Sequence, residues 1–186
     1  YEIRLSLVGS EMCIRDSEDV CSKLIESIEI FPNYPGDFDT WHDRRCAQII
    51  CQMNTPYDDG RKGFLKDGFT FKYGQAQKWV NMTLKYLWLL DMLPNGLSEA
   101  ELHVPVDSFI LEALKETQQF NTEGNKITGS GESYYYNGEA WSAISESKNY
   151  KKLQDEIRDI AKKQGIPPVQ WEGPAWMDVA KTRSSK

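Results

Sequence analysis

The stretch Tyr73-Gly-Gln-Ala-Gln-Lys-Trp-Val-Asn-Met-Thr-Leu-Lys-Tyr-Leu-Trp-Leu-Leu90 carries apolar residues at helical spacing. Val80, Leu84 and Leu87 fall on one line, and Trp79, Tyr86, Leu90 and Leu93 on another, which predicts a helix over Gln75 to Leu93. A helix apolar on most of its sides is usually buried, so this one is expected at the centre of a mostly α fold. One stripe interrupts it. Lys78, Asn81, Lys85 and Trp88 follow at intervals of three, four and three residues, so two amines and an amide share a line. Burying such groups without partners costs roughly 2–7 kcal/mol each, so the stripe is expected to face a cleft, a carboxylate or solvent. Lysines that snorkel to water from a half-buried helix fit the same pattern.

A carboxylate stands ready downstream. In Val104-Pro-Val-Asp-Ser-Phe-Ile110, Pro105 resets the backbone and Asp107 falls where it can cap a helix beginning at Ser108. Phe109, Ile110, Leu111 and Leu114 supply the buried face of that helix. A carboxylate at a helix N-terminus keeps its charge easily, which suits either a cap or a catalytic anion.

A lysine opening a buried helix, then a connecting stretch, then Pro-Val-Asp opening the next helix resembles the helix-hairpin-helix DNA glycosylase superfamily. The nearest branch is the archaeal-type 8-oxoguanine glycosylases, whose gap between lysine and aspartate is longer than usual; here Lys78 and Asp107 lie 29 positions apart. The resemblance covers residues 70–115. In the family's hairpin two closely spaced glycines precede the lysine, and backbone N–H groups there hold a DNA phosphate. Here Gly74 is in place and Gln75, Ala76 and Gln77 follow it. The resemblance implies a helix-hairpin-helix-like centre, with Lys78 as amine nucleophile and Asp107 as assisting carboxylate in DNA repair on a damaged purine.

With 186 residues, 40% hydrophobic and 27% charged, the chain is long enough for one domain with its own core. That helical domain is expected over 18–181. The net charge of -6 suits duplex DNA poorly. Phosphate attraction needs only a local basic patch, for which Arg61, Lys62, Lys66, Lys72 and Lys78 are candidates, offset by Asp58, Asp59 and Asp67. No run of 18 apolar residues exists, so no membrane span is expected. Cys13, Cys21, Cys46 and Cys51 form no CxxC pair and follow no secretion signal, which points to a reducing cytoplasm. His42 and Cys46 are one helical turn apart, with Cys51 beyond. A zinc site needs a fourth ligand, so buried thiols on a helix are the simpler expectation, and no metal or cofactor is called for.

Residues 1–17 stand apart. Their core, Ser6-Leu-Val-Gly-Ser-Glu-Met-Cys-Ile-Arg-Asp-Ser17, resembles translated adaptor read-through in assembled environmental (metagenome) sequence, so 1–17 is expected to be a non-native tail. An edge strand through Ile3, Leu5 and Leu7 is the other reading. From Ser17 a capping signal starts a helix through Val20, Leu24, Ile25 and Ile28. A two-proline loop follows, then a helix capped by Asp39 or Thr40 with Trp41, Cys46, Ile49, Ile50 and Met53 inward. Pro56 to Gly60 reads as a turn and 61–74 as a hairpin-like connector. Gln118 to Gly138, glycine-rich, reads as a mobile loop ending in three tyrosines. A helix is expected from Lys148 to Lys163, then a short one ending near Lys181, with 182–186 loose.

Three functions fit these residues. In the first, Lys78 attacks the sugar C1′ of a flipped, damaged purine nucleotide, Asp107 stabilises the cationic sugar, and the imine formed can eliminate to nick the strand. Gln75, Gln77, Trp79, Trp88, Tyr134, Trp171 and Trp176 are the candidates to grip the base. In the second, the chain holds a free nucleotide or nucleotide-derived signal without changing it, with Lys78, Lys85 and Asn81 on phosphate or ribose and an aromatic ring on the base. Such a protein could sequester a defence signal. In the third, Lys78 and Asp107 are a structural ion pair and cap in an interaction domain.

Overall fold

The computed structural model describes residues 14–55, 69–117, 127–130 and 133–185, with side chains described from Ser22 onward. It is mostly α, with six helices and one small sheet among the described residues.

Helix α1 (Ile14–Glu29) lays Leu24 and Ile28 into the core beside α2 (Phe38–Asn54). The expected start at Ser17 is corrected: the helix already runs from Ile14, while residues 1–13 of the adaptor-like tail lie outside the described residues. A 3-10 turn at Phe31–Asn33, with Pro32 in its first turn, places Phe31 edge-on to Trp41 at 5.4 Å. The cap of α2 is also corrected. Asp37, not Asp39 or Thr40, accepts from the Thr40 N–H at 2.7 Å, which releases the Asp39 carboxylate for other partners. The turn at 56–60 and the basic residues Arg61, Lys62 and Lys66 lie outside the described residues.

Helix α3 (Tyr73–Leu89) starts two residues earlier and ends four residues earlier than the spacing predicts. At its start the Lys72 N–H donates to Gln75 Oε1 at 2.9 Å, which closes a capping box. At its end Asp91 adopts φ 56°, a left-handed conformation no helix continues through. Every residue from Tyr73 to Asn81 is buried, whereas Leu89, Leu90 and Met92 are exposed. The helix is therefore a core element mainly in its first half, with Leu84 the one fully buried residue beyond Asn81. Gly74 permits this: a Cβ there would stand 1.9 Å from the Trp141 carbonyl oxygen, and the Gly74 N–H donates to Ile144 O at 2.9 Å.

An extended segment leads to α4 (Ser108–Glu116), which packs on a three-stranded antiparallel sheet of β1 (Ile127–Ser130), β2 (Ser133–Tyr136) and β3 (Glu139–Ala140). Ile127 faces Tyr136 across the first pair. The mobile loop expected over Gln118 to Gly138 is thus corrected from Ile127 onward; 118–126 and 131–132 lie outside the described residues. Two features explain the strands. Tyr134 and Tyr136 point inward while Ser133 and Tyr135 point outward, the period of a half-buried strand. Gly129, at φ 115°, lets the chains approach, since a Cβ there would meet Ser133 O at 2.0 Å.

A second 3-10 turn, Trp141–Ala143, docks on α3. Helix α5 (Ser147–Gln164) buries Tyr150, Leu153, Ile157 and Ile160 and stops at Gly165, φ 69°. Helix α6 (Pro168–Ser184) is one continuous helix packed on α4 and α5, correcting the short helix and loose end expected there. Proline begins it where a missing N–H costs nothing. Pro174 is tolerated inside it, and Arg183 anchors its far end by donating to Glu112 Oε2 at 2.7 Å. No described helix is long and apolar enough to cross a membrane.

Candidate functional site: a buried lysine–aspartate pair

Lys78 lies on the sixth residue of α3, and Asp107 is the N-cap of α4. Lys78 Nζ lies 3.0 Å from Asp107 Oδ2, with side-chain exposures of 8% and 15%. That is low enough to limit water, and not so low that the pair is sealed. The two carboxylate oxygens divide their work. Oδ1 accepts from the Phe109 and Ile110 N–H groups at 2.9 and 3.0 Å, so the carboxylate is held by backbone, while Oδ2 is left for Lys78. The indole N–H of Trp176 donates to that same Oδ2 at 3.3 Å. Trp176 is itself stacked on Phe109, centroids 4.6 Å apart. On another side the Lys78 ammonium stands over the Trp141 ring, 4.8 Å from its centroid.

Two turns along the stripe, Lys85 forms an ion pair with Glu172 of α6. Burial pushes the Glu172 carboxyl above its ordinary range, while Lys85 opposes the shift; Asp107 and Lys78 also act on it through space. The site thus holds two amines and two carboxylates in alternating sign, with the Trp141 and Trp176 indoles beside the first pair. Trp171, next to Glu172, is buried.

The amides expected to touch a ligand are engaged within the protein. Gln75 Oε1 is taken by the capping box. Gln77 Nε2 donates to Gly74 O and Val106 O at 2.8 and 2.9 Å, and its Oε1 accepts from the Val106 N–H and from Asn81 Nδ2. Asn81 Nδ2 also meets Val104 O and the Tyr150 hydroxyl, and its Oδ1 accepts from His42 Nε2 at 2.9 Å. Trp79 is 7% exposed and edge-on to Phe71, and its indole N–H has no partner among the described residues. Trp88 donates to Glu99 Oε2 at 2.7 Å. Tyr134 has Lys115 and Arg183 over its ring, which groups it with α4 and the end of α6.

Behind the pair runs a second polar network that sequence reasoning missed. His103 Nδ1 meets the Tyr150 hydroxyl at 3.0 Å, and His103 Nε2 meets Asp39 Oδ1 at 2.9 Å. Arg158 closes it on Asp39 Oδ2 at 3.2 Å. Burial holds both His42 and His103 below the ordinary histidine range, and the His103 hydrogen bond, aided by Arg158, holds Asp39 well below the usual carboxylate range. His42, one turn from Cys46 as its spacing indicates, has the thiol 3.7 Å from Nδ1.

Trp141 and Glu172 were the other residues missed. Trp141 follows a glycine-rich stretch with no period to place it, and Glu172 sits in a Pro- and Gly-flanked run that reads as a connector. None of the protein-family models, curated proteins or solved structures compared with this chain matches it.

Proposed function

We propose that the chain is a glycosylase/lyase that acts on a damaged purine nucleotide through Lys78, in the cytoplasm. The observation that carries this reading is the amine of Lys78 at 3.0 Å from a carboxylate whose other oxygen is pinned by two backbone N–H groups. Attack on C1′ needs the amine without its proton, and Asp107 Oδ2 is an acceptor within reach. The new bond joins Nζ to C1′, the base leaves with the electrons of the N-glycosidic bond, and Asp107 offsets the positive charge that develops on the sugar. Loss of the ring oxygen bond then gives an imine, from which elimination can cut the strand. Trp141 and Trp176 supply rings against which an extruded base can lie.

Two observations favour a second reading, binding of a free nucleotide without turnover. The Gly74 N–H, in the place where the resemblance implies a phosphate, is already used by Ile144 O, and the chain carries a net charge of -6.

Borohydride trapping with oligonucleotides carrying 8-oxoguanine or other lesions separates the two. A covalent adduct formed by the wild type and lost in Lys78→Gln supports the enzyme. If no lesion is trapped or released by folded protein, the enzyme reading is overturned, and a rise in melting temperature with a nucleotide supports the second.

A further inference from the structure

The segment 102–106 belongs to no helix or strand and pairs with no strand among the described residues. Leu102, His103, Val104 and Val106 are all at most 2% exposed, so their backbone groups have little water to turn to. Side-chain amides take the place of the missing ladder. Gln154 accepts from the Val104 N–H at 3.0 Å and donates to Val104 O at 2.8 Å. Gln77 does the same for Val106, at 3.2 and 2.9 Å. Each glutamine spends both halves of its amide on one residue, as an opposed residue does in an antiparallel pair. Pro105, between them, has no N–H to satisfy.

The orientation of Gln77 follows from its partners. Gly74 O and Val106 O can only accept, so Nε2 must face them and Oε1 must face the Val106 N–H. Val104 O likewise fixes Asn81 with Nδ2 toward Gln77 Oε1, and the Oδ1 left over accepts from His42. The Tyr150 hydroxyl receives from Asn81 and meets His103 Nδ1 on its other side, while Asp39 and Arg158 both stand at His103 Nε2.

Gln77 precedes Lys78, and Val106 precedes Asp107. We infer that Gln77 is a positioning residue: its paired hydrogen bonds to Val106 set the register in which the Asp107 carboxylate meets the Lys78 amine. As far as the inference concerns activity it rests on the glycosylase reading, but the geometry it fixes does not.

Gln154 is the matched control, making the same clamp two residues upstream. The test compares Gln77→Met with Gln154→Met in the full chain, and first follows the indole 1H–15N resonance of Trp176, assigned with Trp176→Phe, because that N–H reports where Asp107 Oδ2 lies. The Trp176 signal should move in Gln77→Met and stay near its wild-type position in Gln154→Met. Trapping on a lesion oligonucleotide should fall about 100-fold in Gln77→Met only, the scale expected for a displacement of about 1 Å at a reacting centre. If both variants move the signal alike, or neither does, the inference is overturned. Should Gln77→Met not fold, Gln77→Glu serves: an ionised carboxylate repels Val106 O at about pH 8, and protonation restores an O–H donor as pH falls toward about 6, so the Trp176 signal should return. A Trp176 signal that does not respond to pH in that variant overturns the inference too. Absence of trapping in the wild type, with the signal displaced in Gln77→Met alone, sinks the enzyme reading and leaves the positioning role standing.

Discussion

His103 and Asp39, 64 residues apart in the chain, share a hydrogen bond of 2.9 Å in which a fully buried imidazole meets a carboxylate that is 38% exposed. The imidazole N–H and Arg158 both favour the ionised carboxylate, while burial keeps the ring neutral. His42, its ring tilted against that of His103 with centroids 4.4 Å apart, is held neutral by burial as well. Both histidines have folded values below their unfolded one of about 6.5, so the unfolded chain takes up protons first and stability falls as pH drops below about 6.5. Asp39 adds to the loss at lower pH, since its folded value is depressed. The expected urea midpoint is flat from about pH 8 to 7 and declines below about 6.5, by at most about 1.4 kcal/mol per pH unit for each histidine. A midpoint unchanged down to pH about 5 would mean that neither ring is neutral in the core.

Gly74→Ala tests the approach of the Trp141 turn to α3. Within a helix, alanine for glycine ordinarily stabilises by about 1 kcal/mol. Here the added Cβ would meet backbone oxygen at 1.9 Å, so the sign should reverse, with a loss of about 2–3 kcal/mol by chemical denaturation. A stabilised variant would refute the close contact.

Lys85→Met leaves Glu172 buried without its cation. The expected cost is about 3–5 kcal/mol at neutral pH. Burial already raises the Glu172 carboxyl, and losing Lys85 raises it further, so protonation relieves the variant and its deficit should shrink as pH falls toward about 5. Adding Glu172→Gln should recover most of the loss. A deficit that neither pH nor the second substitution reduces would show that Lys85 acts by packing alone.

Asp107 carries two roles that two substitutions pull apart. Both Asp107→Asn and Asp107→Ala lose the ion pair with Lys78 and should lose any borohydride-trapped adduct. Only alanine loses the cap on α4, so it should be less stable than the asparagine variant by about 1 kcal/mol in melting or urea unfolding. Equal stability of the two would remove the cap from the account.

Much of the helical fold was legible. The apolar lines of α3 and α5 predicted both helices to within a few residues, and Asp107 with Ser108 marked the start of α4. What stayed hidden was mostly a matter of partners. Asn81 and Gln77 read as ligand groups because an amide on a buried stripe does not disclose its acceptor, and here the acceptors are backbone atoms of Val104 and Val106. Glu172 lies 87 residues from Lys85, beyond any local pattern. The sheet was missed because glycines that allow a tight chain approach look, in a sequence, like glycines that loosen a loop.

The glutamine-clamped segment at 102–106 bears on how the chain reaches its final state. A hairpin can zip from its turn, but Val104 and Val106 wait for glutamines on helices 50 and 29 positions away. Those contacts form only after both long loops have closed, which makes them late and mutually dependent steps. A half-assembled chain therefore displays no paired Lys78 and Asp107. The Lys78–Asp107 pair is thus a property of the finished fold and of neither helix alone.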